Sequence, residues 1–190
     1  MSTRLETARL VIRSFEAGDA DAWVAMFNDP KVTRFIPGPA QTLETFHIAL
    51  EKRHAMEAEL GYAMWAVDEK PTGTFIGQCG LRPAATMDPS AGSEIDLAYH
   101  LTSASWNKGY ATEVVIAVLA HALTEVGLEG VMAVALPENV GSWRVMEKAG
   151  MRYEGTGSYY GLERLKKYTA ERDWWKPPAA PGQGTTPAAG

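Results

Sequence analysis

Leu10, Val11 and Ile12 form a short apolar run between Arg9 and Arg13, and a first strand is predicted there. Gly18-Asp19 opens a short helix that puts Trp23, Met26 and Phe27 on one face, with Asp19 as its N-cap. The stretch from Asn28 to Pro39 reads as a proline-interrupted connection. A longer helix follows from Thr42 to about Leu60, with Leu43, Phe46, Leu50 and His54 along one side, and Gly61 ends it.

Three strands are predicted next, over Tyr62 to Glu69, Thr74 to Leu81 and Glu94 to Leu101. Lys70-Pro71-Thr72-Gly73 joins the first two as a hairpin turn. The third alternates cleanly. Ile95, Leu97, Tyr99 and Leu101 share one face; Glu94, Asp96, Ala98 and His100 share the other.

Beyond Trp106 the period changes to that of a helix. Tyr110, Val114 and Val118 line up with Ala111, Val115, Leu119 and Ala122 as far as about Val126, and Gly127 closes the helix. Val131 to Leu136 is apolar throughout and too short for a helix, which predicts a buried strand. A short helix from Ser142 to Ala149 stops at Gly150, and two strands follow near Arg152 to Tyr160 and Glu163 to Trp174. The order β-α-α-β-β-β-α-β-α-β-β, about seven strands and four helices, predicts an α/β domain with one mixed sheet. Its first half is antiparallel, and a βαβ crossover surrounds the third helix. The domain is expected to span residues 1–175, and the Pro/Gly/Ala-rich residues 176–190 are expected to form a disordered tail.

Composition excludes several function classes. Of the 190 residues, 46% are hydrophobic and 22% charged, as in ordinary globular proteins, and the net charge of -5 argues against nucleic-acid binding through bulk positive charge. One cysteine, Cys79, allows no intrachain disulfide. His47, His54, His100 and His121 make no ligand-spaced cluster with it, so no metal is expected. The start of the chain lacks an apolar signal region, and no stretch reaches the ~20 apolar residues of a membrane span. A cytoplasmic protein without membrane partners is expected.

The chemistry concentrates in Trp106 to Val114, WNKGYATEV. No Ser or Asp caps this helix start. A helix N-terminus offers unpaired N–H groups and about half a positive charge, and Gly109 lets a phosphate approach the backbone. Ala111 keeps the next turn small, Lys108 adds a cation and Thr112 a hydroxyl. The plainer alternative is that Gly109 only makes a tight turn.

The nonapeptide resembles the pyrophosphate loop, Q/R-x-x-G-x-G/A, of the GNAT acetyltransferases, in the W-G-x-G-Y-A-T-E form of the RimJ/RimL-like branch. Trp106, Gly109, Tyr110, Ala111, Thr112 and Glu113 match, and Asn107 replaces a usual glycine. Pro137 to Gly155, PENVGSWRVMEKAGMRYEG, resembles the branch signature N-x-x-S-x-x-V-x-E-K-x-G-F/M-x-x-E-G. The likeness runs from about Thr7 to Trp175, including the stretches ETARLVIRSFEAGDADAW and FIGQCGL.

That resemblance implies the GNAT fold and acetyl-CoA as donor, held in a V-shaped opening between the fourth and fifth predicted strands. Backbone groups of Tyr99, His100 and Leu101 would pair with the pantetheine arm. Amides of Lys108, Gly109, Tyr110, Ala111 and Thr112 would hold the pyrophosphate, and Asn139 would contact the arm; a local cap is the alternative for Asn139. By register with the family's E-h-G-Y pattern, Asp96 is the candidate base, with Glu94 two residues earlier on the same face. Solvated strand charges are the alternative. Many members carry a tyrosine proton donor seven residues after the asparagine, where this chain has Met146. Ser142 is the branch's substitute, as a hydrogen-bond donor to sulfur or as a helix cap.

Glu113 and Glu147 read as structural partners of nearby cations, and Trp106 as packing for the loop. Phe35, Ile36, Trp65, Tyr159 and Tyr160 stand where the family builds its acceptor cleft. The implied activity is N-acetyl transfer to a primary amine, such as a protein N-terminus, an amino acid, a polyamine or an antibiotic. Asp96, Glu94 and the net charge favour a cationic acceptor. A catalytically degenerate acetyl-CoA sensor is the alternative, and a homodimer is common in the branch.

Overall fold

The computed structural model describes residues 3–36 and 38–178. Eight strands form one sheet in the order β1-β2-β3-β4-β5-β6-β8-β7. They are β1 (Arg4–Glu6), β2 (Leu10–Arg13), β3 (Met64–Glu69), β4 (Thr74–Pro83), β5 (Ile95–Leu101), β6 (Gly130–Ala135), β7 (Arg152–Tyr159) and β8 (Leu162–Glu171). Every neighbouring pair is antiparallel except β5 and β6, which run parallel through the helical crossover between them. The eighth strand is β1, whose three residues are too few to show a period.

Helices cover both faces. α4 (Tyr110–Ala120) and α5 (Val140–Lys148) lie on one, where Val114, Val118, Leu119 and Met146 pack with Val67, Leu81, Leu97 and Ala133 in the main core. On the other, α1 (Ala20–Phe27), α2 (Pro30–Thr33) and α3 (Leu43–Leu60) gather Phe15, Trp23, Met26, Val32, Phe46 and Ala66 into a second cluster. Burial on this scale, at about 25 cal/mol per Å² of apolar surface, drives the assembly. α2 is a single turn within the expected connection, with the Asp29 side chain accepting from Lys31 N and Pro30 at its first position.

α3 follows the expected bounds because its ends are chemically marked. Thr42 and Thr45 exchange side-chain and backbone hydrogen bonds, at 2.8 and 3.2 Å, and Gly61 takes the left-handed conformation that terminates the helix. Two capping assignments are corrected. The Asp19 side chain caps no α1 amide; it accepts from Glu16 N and from Arg13, at 2.8 and 2.7 Å. α5 begins two residues before Ser142, and its cap is Asn139, whose side chain accepts from Ser142 N. After α4 a π-helical turn runs from His121 to Glu125. Trp175 is buried with its indole N–H on Ala149 O; the tail from residue 179 onward lies outside the described residues.

Candidate active site

β5 and β6 touch at one register position, Asp96 opposite Met132. Beyond it, toward the C-terminal ends, they share no ladder, so the β6-facing edge of β5 from Leu97 to Leu101 lacks a strand partner. This is the opening expected between the fourth and fifth predicted strands, here β5 and β6. Ligands of parallel strands collect outside such carboxyl ends.

The chain leaves β5, makes a 3-10 turn at Ser103–Ser105 and enters α4 through Gly109. Gly109 has φ 80°, and no side chain caps the helix start. A Cβ there would meet only Arg9 Nη2, at 3.4 Å, so the space above the loop is open. Asn107, at the usual glycine position, has φ 61°, a conformation asparagine tolerates better than most residues. Arg9 secures the loop. Its Nη1 donates to Lys108 O at 2.9 Å, its guanidinium lies 4.6 Å from the Tyr110 ring centre, and it pairs with Glu113. Lys108 is exposed, Tyr110 is buried with its hydroxyl on Glu69, and Ala111 and Thr112 are half-buried in the first turn. Trp106 is 40% exposed and holds Leu101 O through its indole N–H, so it tethers the loop more than it packs it.

Across the opening, the Tyr99 hydroxyl donates to Ser142 O at 2.7 Å and stands 2.9 Å from Ser142 Oγ. Burial pushes the Tyr99 phenol well above its ordinary range, so it stays protonated. Ser142 thus lies in the first turn of α5, bonded to β5, instead of capping a helix. Met146 is buried beneath it.

The opposite face of β5 meets α1 and α3. Asp96 is 2% exposed, and burial raises its pKa against the pull of Arg82, whose Nε and Nη2 donate to Oδ2 at 3.0 and 2.8 Å. Glu94, half-buried, accepts from Lys167. Each of the two carboxylates thus has its own cation, Arg82 for Asp96 and Lys167 for Glu94. Tyr160, in the β7–β8 turn at φ 58°, has a buried hydroxyl directed at Asp96, and burial followed by the Asp96 charge raises its pKa. Tyr159 lies beside it, with Lys167 over its ring at 5.6 Å.

Phe35 and Ile36 are half-buried after α2, and Ile36 packs on the second cluster. Trp65 does not join them. It is 0% exposed in the main core, its indole N–H on Glu57 and its ring edge-on to His121, so it offers no surface to an acceptor. β3 is buried over nearly its whole length, which makes any large side chain on it core. His100 packs tilted against Phe27, ring centres 5.2 Å apart, and reaches Gln78, which also engages Trp23 and Arg53. Arg53, Gln78 and Arg82 were not among the predicted site residues. Their contacts span 14 to 55 positions along the chain, beyond any local pattern.

Among the described residues no group of three or more His, Cys, Asp or Glu could hold a metal ion, and no helix is long and apolar enough to cross a membrane.

A family model described as an acetyltransferase (GNAT) domain matches residues 9–152, most of the chain. The chain belongs to the GNAT acetyltransferase family. It is 31% identical to YkkB of Bacillus subtilis (strain 168) over 156 residues, 81% of this chain and 88% of that protein. A GNAT-family acetyltransferase from Bacillus anthracis superposes with TM-score 0.74 at 25% identity, covering 90% of this chain and all of that one. RimJ of Mycobacterium smegmatis, solved in complex with CoA-disulfide, shares the fold at TM-score 0.71 and 19% identity, over 90% of this chain and 87% of that one.

Proposed function

We propose that this GNAT domain transfers the acetyl group of acetyl-CoA to a primary amine by direct attack in a ternary complex. The observation that carries the reading is the placement of the uncapped α4 N-terminus at the mouth of the β5–β6 opening. Free helix N–H groups suit a pyrophosphate, and the unpaired edge of β5 suits an extended amide-bearing arm. Amides of Lys108 to Thr112 would take the first, with Lys108 as the exposed cation; backbone groups of Tyr99 and Leu101 would take the second, whereas those of His100, expected to join them, point toward β4. Asn139 serves as the α5 cap and stands at the end of β6, where it borders the arm.

The amine nitrogen attacks the thioester carbonyl carbon, the C–S bond breaks, and its electron pair leaves on sulfur. Asp96, at the one point where the strands touch, accepts the amine's proton directly or through water. Its raised pKa brings it nearer the range of a useful base. Ser142, held by Tyr99, hydrogen-bonds the departing sulfur, a role Met146 cannot fill. Phe35, Ile36, Tyr159 and Tyr160 border the amine side, and Glu94 shapes the charge there with Lys167.

CoA release from acetyl-CoA, measured over peptides, amino acids, polyamines and aminoglycosides, tests the reading. Amine-dependent release supports it. Saturable acetyl-CoA binding with no release on any amine would replace it with an acetyl-CoA sensor.

A further inference from the structure

Arg53 projects from α3 onto the sheet face that carries Asp96 and His100, and among the described residues it forms no ion pair. Its guanidinium lies 4.1 Å from the Phe15 ring centre and 5.3 Å from that of Trp23. Nη2 donates to Gln78 Oε1 at 2.9 Å, whereas Nη1 is buried with no partner. Gln78 Oε1 has no capacity left for it, because Trp23 Nε1 donates to the same oxygen at 2.9 Å. The Gln78 amide nitrogen therefore faces His100 Nδ1, at 3.1 Å, and this network assigns the imidazole proton to Nε2.

The field on this face is positive. Burial, with Arg82 adding to it, pushes Arg53 down to about 10. Burial followed by Arg82 and Arg53 pushes His100 down to about 3. Arg82 is matched by Asp96, and Glu94 by Lys167. Among the described residues on this face Arg53 is left without an ion pair, since Asp19, whose charge acts on it, is held by Arg13. A buried charge without a partner is costly, and an anion bound there removes the cost.

We infer that the acceptor amine also carries a carboxylate, which docks on Arg53 Nη1 near His100. This rests on the acetyl-transfer reading and narrows it to small amino carboxylates. One unmatched positive charge fits a carboxylate better than a phosphate dianion. A polyamine would add positive charge beside Arg53 and Arg82 and is selected against. His100 and Asp96 stand four residues apart, on the order of 13 Å along the strand. Amine and carboxylate are therefore separated by several bonds rather than sharing one carbon.

The test compares glycine, β-alanine, 4-aminobutyrate, 6-aminohexanoate and glutamate, each beside its amide, with spermidine as the cationic control. CoA release is measured for each. Binding in the presence of CoA is followed separately by isothermal titration calorimetry. At least one acid is expected to exceed its amide tenfold or more in kcat/KM or in affinity. R53Q should lose that advantage and R53K should keep part of it, with melting curves to confirm folding. An amide equal to its acid in every pair, a preference for spermidine, or an unchanged advantage in R53Q overturns the inference; CoA release in those cases leaves acetyl transfer standing. Arg53-dependent binding of an acid without CoA release supports the carboxylate site and counts against acetyl transfer. Neither binding nor release overturns both.

Discussion

Both hydrogen bonds from Arg82 to Asp96 end on one oxygen, Oδ2, and leave Oδ1 outside the ion pair. A carboxylate so held is fixed in orientation, with the Tyr160 hydroxyl as its second neighbour. Replacing Asp96 by Asn is expected to lower kcat by about 10²- to 10⁴-fold, the usual range for a general base, with little change in the KM for acetyl-CoA. Glu94→Gln should cost less than about tenfold, because Glu94 is occupied by Lys167. Steady-state CoA release on the best acceptor decides between them, and equal losses in both variants would displace Asp96 from its role.

Gly109→Ala tests the loop. The left-handed conformation costs a non-glycine residue roughly 1–2 kcal/mol, and the added methyl stands 3.4 Å from the Arg9 Nη2 that secures the loop. The KM for acetyl-CoA should rise about tenfold or more while kcat changes less. A KM within twofold of the parent would mean that no phosphate sits there.

Tyr99 and Ser142 join β5 to α5 by a side-chain contact of 2.9 Å, so their substitutions should not add. Tyr99→Phe and Ser142→Ala are each expected to lower kcat about tenfold, with the double variant close to either single one. A double-mutant cycle on kcat should give a coupling of about 0.5–3 kcal/mol. Strict additivity would show that the two act separately.

His100 sets a pH dependence of stability. Its ordinary value of 6.5 applies to the unfolded chain, and burial brings it to about 3 in the fold. Between these values the unfolded chain holds the extra proton, so stability rises with pH and is lost as the pH falls from 6.5 toward 3. Asp96, raised by burial, acts with the opposite sign above its ordinary value of 3.8. His100→Asn should therefore flatten the fall in melting temperature between pH 6.5 and 4. An unchanged slope would mean that His100 is charged in the folded protein.

Legibility in the sequence followed the range of the interaction. The α3 bounds were readable because Thr42 and Gly61 act within a few residues of themselves, and β5 because its alternation is local. The Trp65 environment was not, since it depends on helices from two distant segments closing over both faces of β3. Arg53 was hidden for a related reason. Reading α3 by its apolar face sets Arg53 aside as solvated, and only the arrival of Phe15, Trp23 and Gln78 half-buries it. The loop at Gly109 could be found from its own letters; the cation facing the acceptor could not.

The single bridge between β5 and β6 gives the sheet a built-in reporter. Past Asp96, the amides of β5 that point toward β6 have no ladder to slow their exchange with solvent, whereas those that point toward β4 do. Deuterium uptake over 97–101 should therefore alternate between fast and slow positions in the free protein. An occupant lying along that edge would erase the alternation, so the donor's presence can be read from the backbone itself before any acceptor has been found.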